Sequence, residues 1–172
     1  YTPGNVWVMV EMMMVSRSNK VPGAREAALK ALVRYEQDQA YLNLVLPSLT
    51  LNLSTVERGL ALQLAAGTIS HLNTLDWLLD LYSKHNLKTM TSWIRNLLRL
   101  SAYQLLYLDR IPAYAAINEA VRLARRFGHS GVAGLVNALL RRINGEKEQH
   151  SSGTSYNFCK FRQKTACLCR SI

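Results

Sequence analysis

Cysteine is absent from the first 158 residues of this 172-residue chain, and all three cysteines, Cys159, Cys167 and Cys169, lie in the final segment. No disulfide framework therefore holds the fold together, and a cytoplasmic location fits this distribution. Long apolar runs are also absent. The best candidate, residues 6–15, is interrupted by Glu11 and is too short to span a bilayer, so we expect neither a signal peptide nor a membrane protein.

The usual signatures of metal and catalytic sites are missing as well. The cysteine spacing C-x7-C-x-C is a poor match to zinc sites, and the four histidines have no partners at metal-ligand spacing. No glycine-rich phosphate loop follows a predicted strand, and no Ser/His/Asp or Cys/His arrangement is evident. The sequence therefore predicts no metal, no bound cofactor and no catalytic residue in this chain.

Helical periodicity dominates what is present. Nearly half of the residues are apolar (49%), and they recur at three- and four-residue intervals rather than in the two-residue alternation of strands. Ser54 and Glu57 form a predicted capping box, and Pro112 begins a later helix. We expect the last helix to stop at Asn144–Gly145. The pattern predicts an all-α fold of six or seven helices with short connections.

Composition divides the chain into three parts. Residues 1–20 show no clear period, which predicts a disordered leader or one that does not belong to the natural protein. Residues 21–145 contain all the periodic helices and form the predicted domain. Residues 146–172 are rich in Ser, Lys and Cys without a helical stripe, which predicts a disordered or out-of-frame tail.

Positive charge favours an anionic partner. The formal net charge is +10, and residues 21–145 contribute six of these charges. Basic residues cluster on several of the predicted helices, and the planar guanidinium of arginine suits phosphate groups. The candidate phosphate-binding residues are Arg25, Lys30, Arg95, Arg99, Arg141 and Arg142. Charge alone does not choose between nucleic acid and a membrane surface.

A secondary basic face lies on the helix that begins at Pro112. Its arginines are spaced at i, i+3 and i+4 and so form one patch, which Glu119 partly neutralises from one turn earlier. The members of this secondary face are Arg122, Arg125 and Arg126. Asn118 and Asn137 are amides in otherwise apolar helices, and we predict that both are buried and make structural hydrogen bonds.

One long segment carries a family resemblance. The stretch "WIRNLLRLSAYQLLYLDRIPAYAAINEAVRLARRFGHSGVAGLVNALLRRI" closely resembles the NusB-type RNA-binding domain. The earlier segments "AREAALKALVRYEQDQAYLNLVLPSL" and "LAAGTISHLNTLDWLL" match in the same order, so the resemblance covers roughly residues 24–143. It implies a NusB-like bundle of two three-helix subdomains and a role in holding RNA. We therefore expect the candidate phosphate-binding residues, chosen from their charge, to be the RNA-binding set.

Within that superfamily the chain is most similar to the N-terminal domain of bacterial 16S rRNA cytosine-C5 methyltransferases of the Sun/RsmB (Fmu) type. Free-standing antitermination factors share the "IP…INEAV" helix but usually read "FVNGVLD" where this chain has "LVNALLRR". The resemblance implies 16S rRNA as partner and S-adenosylmethionine as the cofactor of the full-length parent. The three cysteines do not match the family's Pro-Cys contexts, so we expect a truncated, frameshifted or excised domain that is inactive alone.

Two other functions stay open at this point. A free transcription antitermination factor would bind short single-stranded RNA together with a ribosomal protein. A helical protein-interaction module would use its positive charge only for solubility. Salt-dependent RNA binding separates the first two functions from the third.

Overall fold

Seven α-helices make up most of the computed structural model, which describes residues 23–83, 86–128 and 130–151, with side chains through residue 147. The α-helices are α1 (Ala24–Asp38), α2 (Leu42–Leu49), α3 (Thr55–Ser70), α4 (Leu72–Tyr82), α5 (Ser92–Tyr107), α6 (Ala113–Phe127) and α7 (Ser130–Ser151). A 3-10 turn, Leu87–Thr89, precedes α5. These ranges contain no strand, so the predicted all-α class is confirmed.

The helix ends test two of the sequence predictions. The capping box at α3 is confirmed, because the Glu57 backbone N–H donates to Ser54 Oγ at 3.3 Å and the Ser54 backbone N–H donates to Glu57 Oε2 at 3.3 Å. The predicted stop at Asn144–Gly145 is wrong, since α7 continues to Ser151.

A contact with α5 explains the continuation of α7. Lys147 Nζ donates to the Leu105 carbonyl oxygen at 2.8 Å and lies 3.3 Å from Asp109 Oδ1. A glycine inside a helix costs only about 1 kcal/mol, which tertiary contacts of this kind can offset. The helix therefore crosses the predicted domain boundary at residue 145. The leader, the three cysteines and residues 152–172 lie outside the described residues.

The helices pack in two groups, as expected from the two predicted subdomains, but the two groups also pack on each other. Helix α1 packs on α2 and α3, and α5 packs on α6 and α7, but α1 also packs on α5. The buried apolar residues consequently form one continuous core. No helix among the residues that the structure describes is long and apolar enough to cross a membrane.

An aromatic cluster joins α3 to α5. The Tyr103 ring occupies the space that a Cβ on Gly67 would need, so the two helices approach closely at this glycine. The His71 ring lies 4.2 Å from the Tyr107 ring, and His71 Nδ1 is 2.8 Å from the Gly67 carbonyl oxygen. Across the described ranges, no group of three His, Cys, Asp or Glu side chains could hold a metal ion.

Candidate nucleic-acid interface

The arginines of α5 are held by carboxylates from two other helices. Arg95 Nε donates to Glu36 Oε1 of α1 at 2.8 Å, and Arg99 Nη1 donates to the same oxygen at 3.0 Å. Arg99 also forms a bidentate pair with Asp76 of α4, at 2.6 and 2.7 Å. We call these four side chains, together with Asn96, the Glu36 cluster. Two guanidinium groups are thus matched by two carboxylates.

Burial and charge both act on the Glu36 cluster. Burial alone would raise the pKa of Glu36, but the hydrogen bonds and charges of Arg95 and Arg99 outweigh it, so the pKa lies below its usual value. Burial would lower the pKa of Arg99, but Asp76 and Glu36 raise it instead. Glu36 and Arg99 are therefore both ionised in the folded protein at neutral pH.

Two arginines of the predicted interface lie within the Glu36 cluster. Arg99 is only 7% exposed and the Arg95 side chain only 17%. Their assignment to RNA stays a prediction, but both guanidinium groups face carboxylates of other helices and not solvent. A phosphate could replace these carboxylates only if the network were broken, so neither arginine is free to hold RNA while the cluster is intact.

The amides are distributed differently from the prediction. Asn96, which sequence reasoning missed, is 2% exposed and donates from Nδ2 to Glu36 Oε2 at 2.7 Å and to the Ser92 carbonyl oxygen at 3.0 Å. The prediction that Asn118 is buried is wrong, because it is exposed and its side chain has no hydrogen bond within the described part of the chain. Asn137 is half-buried and accepts a hydrogen bond from Arg141 Nε, at 3.1 Å, one turn along its own helix.

A second ion cluster surrounds Glu26 of α1, which is 1% exposed. Arg126 Nη1 of α6 donates to Glu26 Oε2 at 2.6 Å. Lys30 Nζ lies 3.1 Å from Glu26 Oε1, which is an ion-pair distance without hydrogen-bond geometry. Two cations thus share one carboxylate, so part of their charge remains available to a ligand. Arg25 Nε donates to the neutral Gln104 Oε1 at 2.7 Å and keeps its full charge.

The arginines of α7 lie beside the carboxyl end of α4. Arg142 Nη1 contacts the Tyr82 carbonyl oxygen at 3.5 Å, and its guanidinium lies 5.4 Å from the centre of the Tyr82 ring. Arg141 and Arg142 are both exposed. Arg142 therefore has a structural contact and remains accessible to solvent.

Helix α6 presents its polar side to solvent and packs the opposite side on α5 and α7. We call four of its exposed residues the outer stripe: Tyr114, Asn118, Arg122 and Arg125. Their spacing of i, i+4, i+8 and i+11 places them on one face of the helix. Arg126, which was predicted to share this face, turns to Glu26 instead.

The charges of the outer stripe are only partly neutralised. The predicted pairing of Arg122 with Glu119 is confirmed, with Nε–Oε2 at 2.9 Å and Nη2–Oε1 at 2.5 Å, and the hydrogen bond to Glu119 raises the pKa of Arg122. Arg125 contacts no carboxylate within the described residues. Glu119 neutralises one of the two arginines, which leaves the stripe positive.

Comparison with known proteins places this arrangement in a family. The NusB family profile matches residues 22–145. The chain is 43% identical over 129 residues to the probable ribosomal RNA small subunit methyltransferase B of Bacillus subtilis, an alignment covering 74% of this chain and 29% of that protein. It is 35% identical over 127 residues to the transcription antitermination protein NusB of Syntrophomonas wolfei, covering 72% of this chain and 95% of that protein.

Solved structures agree with the sequence matches. NusB of T. maritima superposes with a TM-score of 0.67 at 30% identity, over 72% of this chain and 89% of that one. NusB in a complex with NusE and dsRNA gives a TM-score of 0.67 at 18% identity, over 73% of this chain and 96% of that one. That second likeness supports the fold alone. The predicted NusB-like bundle is confirmed.

Proposed function

This chain belongs to the NusB family, and we propose that it supplies the RNA-binding, non-catalytic N-terminal domain of a 16S rRNA cytosine-C5 methyltransferase. The observation that carries the proposal is a contrast within one organism. The alignment with the B. subtilis methyltransferase covers 74% of this chain at 43% identity. The alignment with B. subtilis NusB covers only 51% of this chain, at 36% identity. The chain spans 29% of the length of that methyltransferase.

In this proposal the domain binds RNA and performs no chemistry. The described residues have no strand followed by a glycine-rich loop, the arrangement that we expect around S-adenosylmethionine in the full-length parent. We therefore assign that cofactor and the methyl transfer to other parts of the parent protein. Exposed arginines would hold the phosphates of the rRNA and so position it for a separate catalytic domain.

The runner-up is a free-standing antitermination factor. This function is favoured because the alignments extend over nearly the whole length of free-standing NusB proteins: 95% of the S. wolfei NusB sequence and 89% of the T. maritima NusB structure. In that case the chain would bind RNA together with a ribosomal protein, as the complex of NusB, NusE and dsRNA suggests. Both functions share an RNA-binding surface and differ in what accompanies it.

RNA binding by the full chain is the first test. Fluorescence anisotropy with a labelled single-stranded 16S rRNA segment should show binding at 50 mM salt that weakens steeply by 200 mM. Each phosphate contact contributes about 0.7 to the slope of log K against log salt concentration for single strands. Absence of binding at 50 mM salt would overturn both RNA functions and leave the protein-interaction module.

Addition of NusE separates the two RNA functions. If the chain is a methyltransferase domain, its RNA affinity should stay the same when NusE is added. A cooperative rise in RNA affinity, with NusE bound in the same complex, would instead establish the antitermination function. An unrelated ribosomal protein of similar charge is the control for nonspecific association.

A further inference from the structure

An exposed aromatic ring at the start of the outer stripe is informative because of its neighbours. The Tyr114 side chain is 70% exposed, and a single exposed aromatic residue needs no explanation by itself. One turn later, however, lies Asn118, an exposed amide with free hydrogen-bonding capacity within the described residues. Arg125, which contacts no carboxylate in the part of the chain that the structure describes, lies two further turns along the same face.

We propose that the outer stripe of α6 is a track for single-stranded RNA, on which an unpaired base stacks against Tyr114. The inference rests on the proposed RNA-binding function and locates it on the molecule. From Tyr114 to Arg125 the helix rises about 16 Å, which is long enough for a few nucleotides. The base on Tyr114 lies at one end of this track, and a phosphate on Arg125 lies at the other.

The chemistry of the stripe matches single-stranded RNA at three points. An exposed tyrosine ring offers a π-face on which any unpaired base can stack. The Asn118 side chain has both a donor and an acceptor, so it can pair with the polar edge of that base. The Arg125 guanidinium can grip a phosphate with two parallel N–H groups. A duplex keeps its bases stacked internally and could use only the last of these contacts.

A second exposed tyrosine shows what the stripe has that other surfaces lack. Tyr41, which directly precedes α2, is 73% exposed, and the apolar Leu44 about one turn later is 71% exposed. Helix α2 carries the exposed amide Asn43 but no arginine or lysine, so it offers no guanidinium to a phosphate along the same helix. RNA is therefore expected at Tyr114 and not at Tyr41, although the two rings are almost equally accessible.

The test compares Tyr114→Ala with Tyr41→Ala in the full chain. Both replacements remove an exposed ring, so both variants should fold, which circular dichroism and thermal melting verify. Tyr114→Ala should weaken binding of a labelled single-stranded RNA by about 5- to 100-fold. Tyr114→Trp should restore it, and Tyr41→Ala should match the wild type. Binding of duplex RNA should be unchanged in all three variants.

Charge and base identity give two further measurements on the same variants. Tyr114→Ala removes no charge, so the salt dependence of binding should keep its slope while the affinity falls. Asn118→Ala should narrow the spread of affinities among adenine, cytosine and uracil homopolymers, because it removes the group that contacts the base edge. An unchanged spread would remove Asn118 from the track.

The results separate this inference from the function on which it rests. If the wild type binds RNA and Tyr114→Ala binds it equally well, the track is wrong while the RNA-binding function stands. If Tyr41→Ala shows the same loss as Tyr114→Ala, the track is likewise overturned. If the wild type itself fails to bind single-stranded RNA at 50 mM salt, the proposed function fails first and the track falls with it.

Discussion

Helices α5 and α6 both carry arginines at helical spacing, yet the two sets meet different surroundings. Arg95 and Arg99 face α1 and α4, where Glu36 and Asp76 neutralise them at 2.6 to 3.0 Å. Arg122 and Arg125 face solvent, and of these two only Arg122 has a carboxylate partner among the described residues. Whether an arginine is available to RNA thus depends on the acids that neighbouring helices bring to it, not on its spacing along the helix.

The difference in burial also decides which charged side chains stabilise the fold and which are available to bind a ligand. Removing one partner of a buried ion pair is costly because it leaves the other charge unpaired and out of water. An exposed ion pair contributes little because water already solvates both groups. Arg95 and Arg99 of α5 are therefore structural, as is Arg126 of α6 in its pair with the buried Glu26, whereas Arg122 and Arg125 can exchange solvent for a ligand at small cost.

The largest expected effect is a loss of folding stability when the carboxylate partner of the α5 arginines is removed, compared with removal of the carboxylate partner of Arg122 on α6. Glu36→Ala should lower the free energy of unfolding by about 3 kcal/mol, because Arg95 and the buried Arg99 lose a shared partner. Glu119→Ala, the matched change on α6, should cost less than about 1 kcal/mol. Urea unfolding followed by circular dichroism measures both. Equal losses would show that the two sets of arginines are not energetically distinct.

Two asparagines give a smaller contrast between the same helices. Asn96→Leu should cost about 2 kcal/mol, since it leaves polar groups of Glu36 and Ser92 without a buried partner. Asn118→Leu should stay within about 0.5 kcal/mol of the wild type because its amide is exposed and unpaired in the described structure. Thermal melting of both variants checks this. A large loss for Asn118→Leu would mean that this amide is buried after all.

Low pH should reduce the contribution of the Glu36 carboxylate to folding stability. The arginines hold the pKa of Glu36 in the folded protein below the ordinary value of a glutamate, about 4.5, so the carboxylate stabilises the folded state fully above that pH. This contribution is lost as pH falls from about 4.5 through the folded-state pKa. The stability difference between wild type and Glu36→Gln should therefore narrow in that range. A difference that stays constant from pH 7 to pH 3 would contradict the assigned pairing.

The features that sequence analysis predicted correctly are local ones. The capping box at Ser54 involves residues three apart, and the pairing of Glu119 with Arg122 spans one helical turn. Helical periodicity is local too, which is why the all-α class could be predicted. The family resemblance added how the helices are arranged.

Contacts between distant segments account for the errors. Glu36 precedes Arg95 by 59 residues, and Asp76 precedes Arg99 by 23. Lys147 reaches a carbonyl 42 residues earlier, which helps α7 continue past Gly145. No periodicity or spacing indicates which acid will meet which arginine after folding. The burial of Arg99 and the exposure of Asn118 could therefore be seen only in the structure.

The salt dependence of RNA binding tests most directly whether α6, and not α5, offers its arginines to RNA. Full-length wild type, Arg125→Gln and Arg95→Gln are compared on one labelled single-stranded RNA, at a temperature where circular dichroism shows all three folded. Arg125→Gln should reduce the slope of log K against log salt concentration by about 0.7, the contribution of one phosphate contact. Arg95→Gln should leave the slope at its wild-type value. A reduced slope for Arg95→Gln with an unchanged slope for Arg125→Gln would contradict the account.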